Sequence, residues 1–286
     1  MKRLIYSGLF FFTVILLSGC VKRELELPAQ KLVRINFDWS HLDEHQIPPA
    51  EVVIRFYSPE GDFLFERTSG SDYFEGYVPE GEYKILVYNP DGTDIRHHNM
   101  ESFEDAQISL KDGTQEAPSP VYGGTIEALT VPAGEPTDAT IVIHPYLHQV
   151  SVHVNITGNS EEVAECVAII DGLAEGVNLS TGLPVKGTNS SASVKLYPHT
   201  GSYHGIFRLA GNNEQYPSAI SFKIRFKDGT ERIIRQNFDD FMNNLGQRPS
   251  DTPLSVEFTI DMQSIDGVLT ATLKDWVYKQ GEVTLN

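Results

Sequence analysis

The sequence predicts an all-β protein built from two tandem antiparallel β-sandwiches that follow a signal peptide. Apolar and polar residues alternate through most of the chain, which is typical of strands with one buried face. Turn-forming residues recur at intervals of roughly ten residues, as they do in sandwiches. These patterns divide the chain into a signal peptide at 1–19, a tether at 20–30, an N-terminal sandwich at 31–145 and a C-terminal sandwich at 146–286.

The N-terminus has the parts of a secretory signal. Lys2 and Arg3 precede an apolar run at 9–17, which is shorter than the about 20 residues that cross a bilayer as a helix. Leu-Ser-Gly then leads directly into Cys20, an order similar to the lipobox of bacterial lipoproteins. We therefore expect cleavage before Cys20 and acylation of its thiol and its new amino group. The alternative is an ordinary secretory signal followed by a chance cysteine.

The net charge of the chain argues against two classes of binding partner. The formal net charge is −17, and loss of Lys2 and Arg3 with the signal leaves −19. A protein this acidic repels nucleic acid and anionic membrane surfaces, so neither is expected to bind the folded part directly. Acyl chains on Cys20 are the expected contact with outer-membrane lipid, at about 0.8 kcal/mol for each buried CH₂ group.

The chain has only two cysteines, Cys20 and Cys166. If Cys20 is acylated, Cys166 has no partner, and no disulfide within the chain is expected. Cys166 lies in an apolar stretch and is predicted to be a small buried residue rather than a catalytic thiol.

The alternation places strands in the first half. Residues 33–39 alternate strictly, and a turn at 58–61 joins two further strands. Another strand begins at Gly81 and ends before a turn at 89–92. Residues 93–136 are less regular, and we place the break between the sandwiches around 132–145.

The second half repeats this pattern. Residues 150–156 alternate, and the most distinct hairpin of the chain turns at Asp228-Gly229. The last two strands are predicted to turn at Asp266-Gly267. A short helix is predicted at 237–245, where apolar residues share one helical face.

No motif predicts an enzyme. The sequence has no G-x-S-x-G, no P-loop and no G-x-G-x-x-G, so no catalytic residue, cofactor or small-molecule substrate is expected. A glycosidase stays open as an alternative, because its two carboxylates can lie far apart in sequence.

One motif matches a metal-binding pattern. His41, Glu44 and His45 fit H-x-x-E-H, which needs both histidines one turn apart on a helix. The prolines at 48 and 49 leave little room for that helix, since proline disfavours helical backbone just before it. We therefore favour a polar loop with a turn capped by Ser40 and predict no metal there.

The remaining candidate ligands are also interpreted without a metal. Four residues along a strand span about 13 Å, too far for one ion, and two adjacent residues of a strand point to opposite faces. Asn89, Asp91 and Asp94 are explained better by turn chemistry than by calcium binding. The three groups are His144 with His148, His97 with His98, and Asn89 with Asp91 and Asp94.

Tyrosines are frequent in the first half. They are interpreted mainly as core or rim residues of a sandwich, and a sugar-binding platform is the alternative. The set is Tyr57, Tyr77, Tyr83, Tyr88 and Tyr122.

Several stretches together resemble a known family. "VRINFDWS" soon after Cys20, then "VPEGEYKILVYN", are similar to the first domain of fimbrillin-like lipoproteins of Bacteroides-type bacteria. "HPYLHQVSVHVNITG" followed by "AIIDGLAEGVNLSTG" is similar to the start of their second domain, with Gly172-Leu173-Ala174, Val177 and Leu179 at the matching positions. The resemblance is nearest to the Mfa2/FimB-type anchor proteins.

This resemblance implies transthyretin-like sandwiches and a fimbrial protein held in the outer membrane by acylated Cys20, as an anchor or a minor subunit. It implies other fimbrial subunits as partners, joined by strand addition. Subunits of such fibres lose a first strand by cleavage after a basic residue, and Lys31 and Arg34 are well placed for it, although an anchor should keep that strand. The segment 268–286 either reaches a neighbour or completes its own sheet. A surface carbohydrate-binding lipoprotein is the alternative function.

Overall fold

The computed structural model describes residues 29–42, 46–90, 94–110, 117–199, 201–245, 254–265 and 268–280. Within these ranges the chain is almost entirely β-strand, which confirms the predicted all-β class. None of the helices in the same ranges combines the length and the apolar character needed to cross a membrane.

The first half of the chain forms ten strands. They are β1 (Gln30–Asp38), β2 (Glu51–Tyr57), β3 (Phe63–Gly70), β4 (Tyr73–Pro79), β5 (Gly81–Tyr88), β6 (Ile95–His98), β7 (Gln107–Leu110), β8 (Tyr122–Val131), β9 (Thr137–Val142) and β10 (His144–Pro145).

The second half forms ten more strands and one short α-helix. They are β11 (His148–Gly158), β12 (Val163–Leu173), β13 (Gly176–Asn178), β14 (Pro184–Val185), β15 (Ser190–His199), β16 (Ser202–Leu209), β17 (Ala219–Phe226), β18 (Glu231–Asn237), α1 (Asp239–Asn244), β19 (Leu254–Ile265) and β20 (Val268–Gln280).

Two sheets form the first sandwich. One has the strand order β4-β1-β9 and the other β10-β8-β5-β2-β3. Alternate residues of β1 face the core, and Val33 and Ile35 have no exposed surface. Phe56 of β2 lies at the centre of this core, with its ring 4.6 Å from that of Phe65. Burial of these apolar faces between the sheets holds the first sandwich together.

The second sandwich is a folded eight-stranded sheet with the order β18-β17-β12-β15-β16-β11-β19-β20. The first part of β15 pairs with β12 and its last three residues pair with β16, so the sheet turns over at β15 and packs on itself. The core includes Phe222 and Phe258, whose rings lie 4.8 Å apart. Helix α1 closes one end, with Phe238 and Phe241 stacked at 4.5 Å.

The two sandwiches share one connectivity. In each, the first strand lies between an antiparallel neighbour and a parallel one: β1 between β4 and β9, and β11 between β16 and β19. In each, the second strand crosses to the opposite sheet, where it is central. Both sandwiches therefore follow the same plan, with β10 added only to the first and β20 only to the second.

A small fourth sheet joins the sandwiches. Its order is β14-β13-β7-β6, so it draws two strands from each half of the chain. Gly176 pairs with Ser109 across this junction, and an added Cβ at Gly176 would lie 1.8 Å from the carbonyl oxygen of Ile108. A separate apolar cluster, which includes Leu86, Tyr146 and Val177, is buried beside this sheet. The two halves are thus connected by backbone pairing as well as by side-chain packing.

The local sequence predictions largely agree with these elements. The turn at 58–61 and the hairpin at Asp228-Gly229 are confirmed, with positive φ at Gly61 and Gly229. The predicted helix is confirmed as α1. The irregular interpretation of 93–136 is wrong for the ten-residue strand β8, and the proposed break around 132–145 contains β9 and β10. The turn predicted at Asp266-Gly267 lies outside the described residues, and the domain boundary at 145 stays a prediction.

Candidate subunit-contact surface

The longest edge strand is β20. It pairs with β19 along its full 13 residues, from Val268 opposite Ile265 to Gln280 opposite Leu254. Within the described part of the chain its other side has no strand neighbour. An edge strand of this kind presents a row of backbone N–H and C=O groups that can pair with another chain.

The inward face of β20 is an apolar stripe made of Leu269, Ala271, Leu273 and Trp276. These side chains pack against the second core but are only partly buried. A bulge at Lys274 restores the stripe, because it brings Trp276 to the same side as Leu273. The indole ring then lies 5.6 Å from Phe238 and 6.1 Å from Phe258. The stripe is anchored in the core and still open to an additional apolar side chain.

Strand β18 lies at the other end of the same folded sheet. It approaches β20 across the sandwich, and Ile234 packs partly buried against the core. On its outer face Ile233 is 69% exposed. The strands β18 and β20 therefore approach each other without strand pairing among the described residues, and the half-buried apolar residues lie along this seam.

Strand β1 of the first sandwich is the counterpart of β11 in the second. It has antiparallel pairing with β4 on one side and parallel pairing with β9 on the other. Lys31 forms an ion pair with Glu80 at 3.0 Å, and Arg34 forms another with Glu75. Arg34 therefore lies where β1 is paired on both sides, whereas Lys31 is paired only with Val78 of β4. A protease needs the backbone free of such pairing.

Two exposed tyrosines lie on the outer face of the three-stranded sheet. Tyr73 is 56% and Tyr77 63% exposed, and both belong to β4. Asn36 is opposite Tyr73, and Arg34 and Glu75 are paired between the two rings. This surface combines aromatic faces with amide and charged groups.

The tyrosine set considered from the sequence does not form this surface. Tyr57, Tyr83, Tyr88 and Tyr122 are all buried, and only Tyr77 is exposed. The interpretation as core residues is confirmed for these four. Tyr73, which the sequence reasoning missed, could have been found from its two-residue and four-residue spacing to Glu75 and Tyr77 on one strand face.

Of the H-x-x-E-H motif, only His41 lies among the described residues. Glu44 and His45 lie outside the described residues. His41 instead lies beside His144, with ring centroids 4.5 Å apart. The Ser40 N–H donates a hydrogen bond to the Asp38 carboxylate at 2.9 Å, and a cap by the Ser40 side chain stays a prediction.

The other candidate ligands also have structural surroundings. His148 is 2% exposed, so it cannot share an ion with half-buried His144 on the surface. His97 packs on Tyr88, and His98 is hydrogen-bonded to Ser109 at 2.8 Å.

The side chain of Asn89 bonds to a distant segment of the chain, and the turn predicted at 89–92 lies partly outside the described residues. The Asn89 side chain accepts a hydrogen bond from the Tyr122 N–H at 2.7 Å and donates one to the carbonyl of Pro120 at 3.0 Å. Asp91 lies outside the described residues. The amide of Asn89 therefore ties β5 to the start of β8.

The two cysteines differ in what can be said of them. Cys166 is buried, as predicted, and burial raises the pKa of its thiol to about 12, so it is neither a nucleophile nor a ligand at neutral pH. Cys20, with the signal peptide and most of the tether, lies outside the described residues. Acylation of Cys20 stays a prediction.

Comparison with solved structures supports the predicted fold. A candidate adhesin from Bacteroides ovatus superposes with a TM-score of 0.63 at 19% identity, covering 81% of this chain and 93% of that one. The fimbrial anchor protein Mfa2 from Porphyromonas gingivalis gives a TM-score of 0.55 at 13% identity, covering 87% and 97%. A candidate polysaccharide-binding protein from Bacteroides thetaiotaomicron gives 0.57 at 11% identity, covering 85% and 98%.

These similarities confirm the fimbrillin-like resemblance at the level of the fold. No curated protein sequence matches the chain significantly. One family model, described as a domain of unknown function, matches residues 19–197, which is more than half of the chain. The chain therefore belongs to the DUF5119 family.

Proposed function

We propose that this chain is a lipid-anchored outer-membrane protein that holds a fimbrial fibre, through acyl chains on Cys20 at one end and strand pairing at β20 at the other. The β19–β20 hairpin carries the proposal, because it combines a long unpaired edge with a half-buried apolar stripe. An extended segment of another fimbrial subunit fits both features. Its backbone would pair with β20, and its alternate side chains would cover the stripe.

The arrangement of β1 supports an anchor that keeps its first strand. Cleavage after Lys31 or Arg34 would separate the body from Cys20. Pairing with β4 protects the backbone at Lys31, and pairing with both β4 and β9, beside the fully buried Val33 and Ile35, protects it at Arg34. The fold similarity to the fimbrial anchor protein Mfa2 is consistent with the same role.

The membrane end of the proposal is tested with Cys20→Ala. We expect the variant to leave the membrane fraction and any fibre to leave the cell with it. Cys166→Ala is the matched control, because that thiol is buried in the core, and it should sediment with membranes as the parent does. Retention of the Cys20→Ala variant in membranes would overturn the lipid anchor.

The fibre end is tested with a photo-crosslinking residue at Val277, which is 46% exposed on β20. We expect it to trap an extended segment of a fimbrial subunit on intact cells. The same residue placed at Leu64, which is 48% exposed on β3 of the first sandwich, is the control and should trap none. Equal crosslinking at both sites would rule out β20 as the specific contact.

A second candidate function is glycan binding at the outer face of β4. Tyr73 and Tyr77 lie on one face, about 13 Å apart along the strand, with the Arg34–Glu75 pair between them. Exposed aromatic faces flanked by polar groups suit sugar rings, which have apolar faces and hydroxyl edges.

Glycan binding is tested with a glycan array and the double variant Tyr73→Ala/Tyr77→Ala. We expect saturable binding by the parent and its loss in the variant. Tyr197→Ala is the control, since Tyr197 is 50% exposed on the second sandwich. No binding by the parent at millimolar sugar would dismiss this function and leave the anchor proposal unaffected.

A further inference from the structure

A cavity of about 230 Å³ lies where strands of the two sandwiches meet. Tyr122 of β8 and Pro145 of β10 line it from the first half of the chain, and Gln149 of β11 and Arg208 of β16 line it from the second. The other residues around it are mainly apolar, namely Ile47, Pro120, Val121 and Leu147, with Gln46 beside them. This lining shares no residue with β20 or with the outer face of β4, so the functions proposed above do not use it.

Hydrogen bonds hold the walls of the cavity in place. The Asn89 amide donates to the carbonyl of Pro120 at 3.0 Å, and the Tyr146 N–H donates to the carbonyl of Val121 at 2.7 Å. On the other side, Gln149 is directly opposite Arg208 in the ladder between β11 and β16. The cavity is therefore formed before a ligand enters it, which lowers the entropic cost of binding.

Arg208 is a half-buried cation that forms no ion pair with a carboxylate of the described residues. Arg55 of the first sandwich, whose side chain is 13% exposed, is by contrast paired with Glu66 at 3.1 Å. Burial lowers the pKa of Arg208, and the hydroxyl of Tyr122 acts in the opposite direction. The guanidinium is still charged at neutral pH, because arginine keeps its proton in proteins. An anion bound in the cavity would offset the cost of burying this charge.

The guanidinium of Arg208 is fixed by one nitrogen and has two others to offer. Its Nη1 donates to the carbonyl of Pro118 at 2.8 Å, which sets the plane of the group. Its Nε and Nη2 have no acceptor among the described residues, and these two nitrogens form one edge of the planar fork. Such an edge matches the two oxygens of a carboxylate. The amide of Gln149, which also has no hydrogen bond to the described chain, is on the neighbouring strand and can donate to the same group.

Charge and size favour a small monocarboxylate over other anions. One arginine neutralises one negative charge, whereas a phosphate group carries about −1.5 to −2 at pH 7 and would leave charge uncompensated in a protein whose net charge is already −17. The apolar walls suit a hydrocarbon body attached to the carboxylate. The cavity is smaller than the roughly 300–1,000 Å³ of sites for drug-sized ligands, so that body has only a few carbon atoms.

We propose that Arg208 and Gln149 form a binding site for a carboxylate group on a short apolar body, which packs against Ile47 and Leu147. The guanidinium pairs with the carboxylate through Nε and Nη2 and keeps its bond to Pro118 through Nη1. The group belongs either to a free short-chain acid or to a glutamate side chain of another protein. Because the lining comes from β8, β10, β11 and β16, a bound carboxylate would also connect the two sandwiches.

The test is an NMR titration of the full chain with sodium butyrate at neutral pH and constant ionic strength. We expect saturable binding, and at least about tenfold weaker binding of butyramide, which has the same shape without the charge. Acetate should also bind about tenfold more weakly than butyrate, because it lacks two CH₂ groups. Arg208→Gln should weaken butyrate binding at least about tenfold. Arg96→Gln is the matched control, because it removes the same charge from an exposed position of β6, and it should bind as the parent does.

A second measurement uses the unchanged protein and does not depend on any variant folding. Arginines are modified with phenylglyoxal, and the modified positions are located by mass spectrometry. Butyrate should protect Arg208 and leave Arg96 unprotected, whereas butyramide should protect neither. Equal protection of both arginines, or equal affinity for butyrate and butyramide, would overturn the proposal.

A blocked peptide with one central glutamate distinguishes the two sources of the carboxylate. Tighter binding of this peptide than of butyrate would assign the site to a side chain of another protein, and the reverse order would assign it to a free acid. The same peptide with glutamine in place of glutamate is the control and should bind neither the parent nor Arg208→Gln. Absence of saturable binding for both butyrate and the glutamate peptide would overturn the proposal and leave the anchor function unaffected.

Discussion

The two sandwiches have the same strand connectivity but end differently. In the first, the parallel partner of the first strand is β9, a six-residue strand at the edge of a three-stranded sheet. In the second, the corresponding strand is β19, which has twelve residues and carries the hairpin partner β20. The same framework therefore ends in a short edge strand in one half and in a long hairpin edge in the other.

The residues that stabilise the two sandwiches are different from those proposed to bind another chain. The residues that hold each sandwich together are the inward faces of its central strands, such as Phe56 in the first and Phe258 in the second. The hairpin adds length at the edge, where the inward side chains are only half-buried. We infer that β20 was added to a framework that is already complete, and that the open edge serves contact with another chain.

The largest expected effects test whether the two frameworks are equivalent. Phe56→Ala and Phe258→Ala each empty the centre of one core, because both side chains are fully buried. Each should lower the free energy of unfolding by about 3–5 kcal/mol. Since the shared sheet joins the halves, we expect one cooperative transition in denaturant for each variant. Two separated transitions would show that the sandwiches unfold independently.

Acid should act mainly on the second sandwich through His148, the first residue of β11. Burial lowers its pKa to about 4, while the unfolded value is about 6.5. The unfolded state therefore binds more protons below pH 6.5, and stability falls by up to about 3 kcal/mol as the pH drops to 4.

The measurement is the free energy of unfolding of the parent and of His148→Leu from pH 7 to pH 4. As the pH falls, the free energy of unfolding of the parent should fall relative to that of His148→Leu. The carboxylates titrate alike in both proteins, so their contribution cancels. Gln30, the first residue of β1, has no titratable side chain at the corresponding position. A constant difference over this range would contradict the assignment.

The sheet between the sandwiches is tested with Gly176→Ala. The new methyl group would lie 1.8 Å from the carbonyl oxygen of Ile108, so β13 must shift relative to β7. We expect a loss of about 1–3 kcal/mol and separation of the two unfolding transitions. Gly134→Ala is the control, because nothing lies within 4 Å of its added methyl group, and its stability should stay within about 0.5 kcal/mol of the parent.

The smallest effect on stability should accompany a large effect on assembly. Val277→Lys on β20 and Val142→Lys on β9 both replace exposed valines, at 46% and 38% exposure. Each should change the free energy of unfolding by less than about 0.5 kcal/mol. Only Val277→Lys should prevent copurification of fimbrial subunits, because a lysine on the open edge blocks strand addition. Equal copurification with both variants would show that the two edges do not differ.

The sequence predicted the features that depend on near neighbours. The β17–β18 hairpin follows from strict alternation on both sides of Asp228-Gly229, where Gly229 takes the positive φ that glycine favours. Strand β8 was missed because it begins with Tyr122-Gly123-Gly124 and its register with β5 shifts between Tyr83 and Ile85, which interrupts the alternation.

Features that depend on distant pairing could not be predicted. The parallel pairs β1–β9 and β11–β19 join strands about 100 residues apart, and alternation is the same for parallel and antiparallel neighbours at an edge. The four-residue strand β7 carries too little pattern to indicate that it pairs with β13 of the second half. The C-terminal segment was predicted as a contact strand or a completion of its own sheet, and β20 occupies the position that permits either.

The position of β1 also decides how the protein would bear a pulling force. Under the proposed lipid anchor at Cys20, tension from the membrane would reach the described part of the chain at the start of β1 and act along that strand. Seven residue pairs with β4 and six with β9 resist movement of β1 along its own axis. Their hydrogen bonds lie across the direction of pull and must break together rather than one after another. The first sandwich would therefore be loaded in shear. The buried side chains of Val33, Ile35 and Phe37 would oppose movement of β1 along its axis.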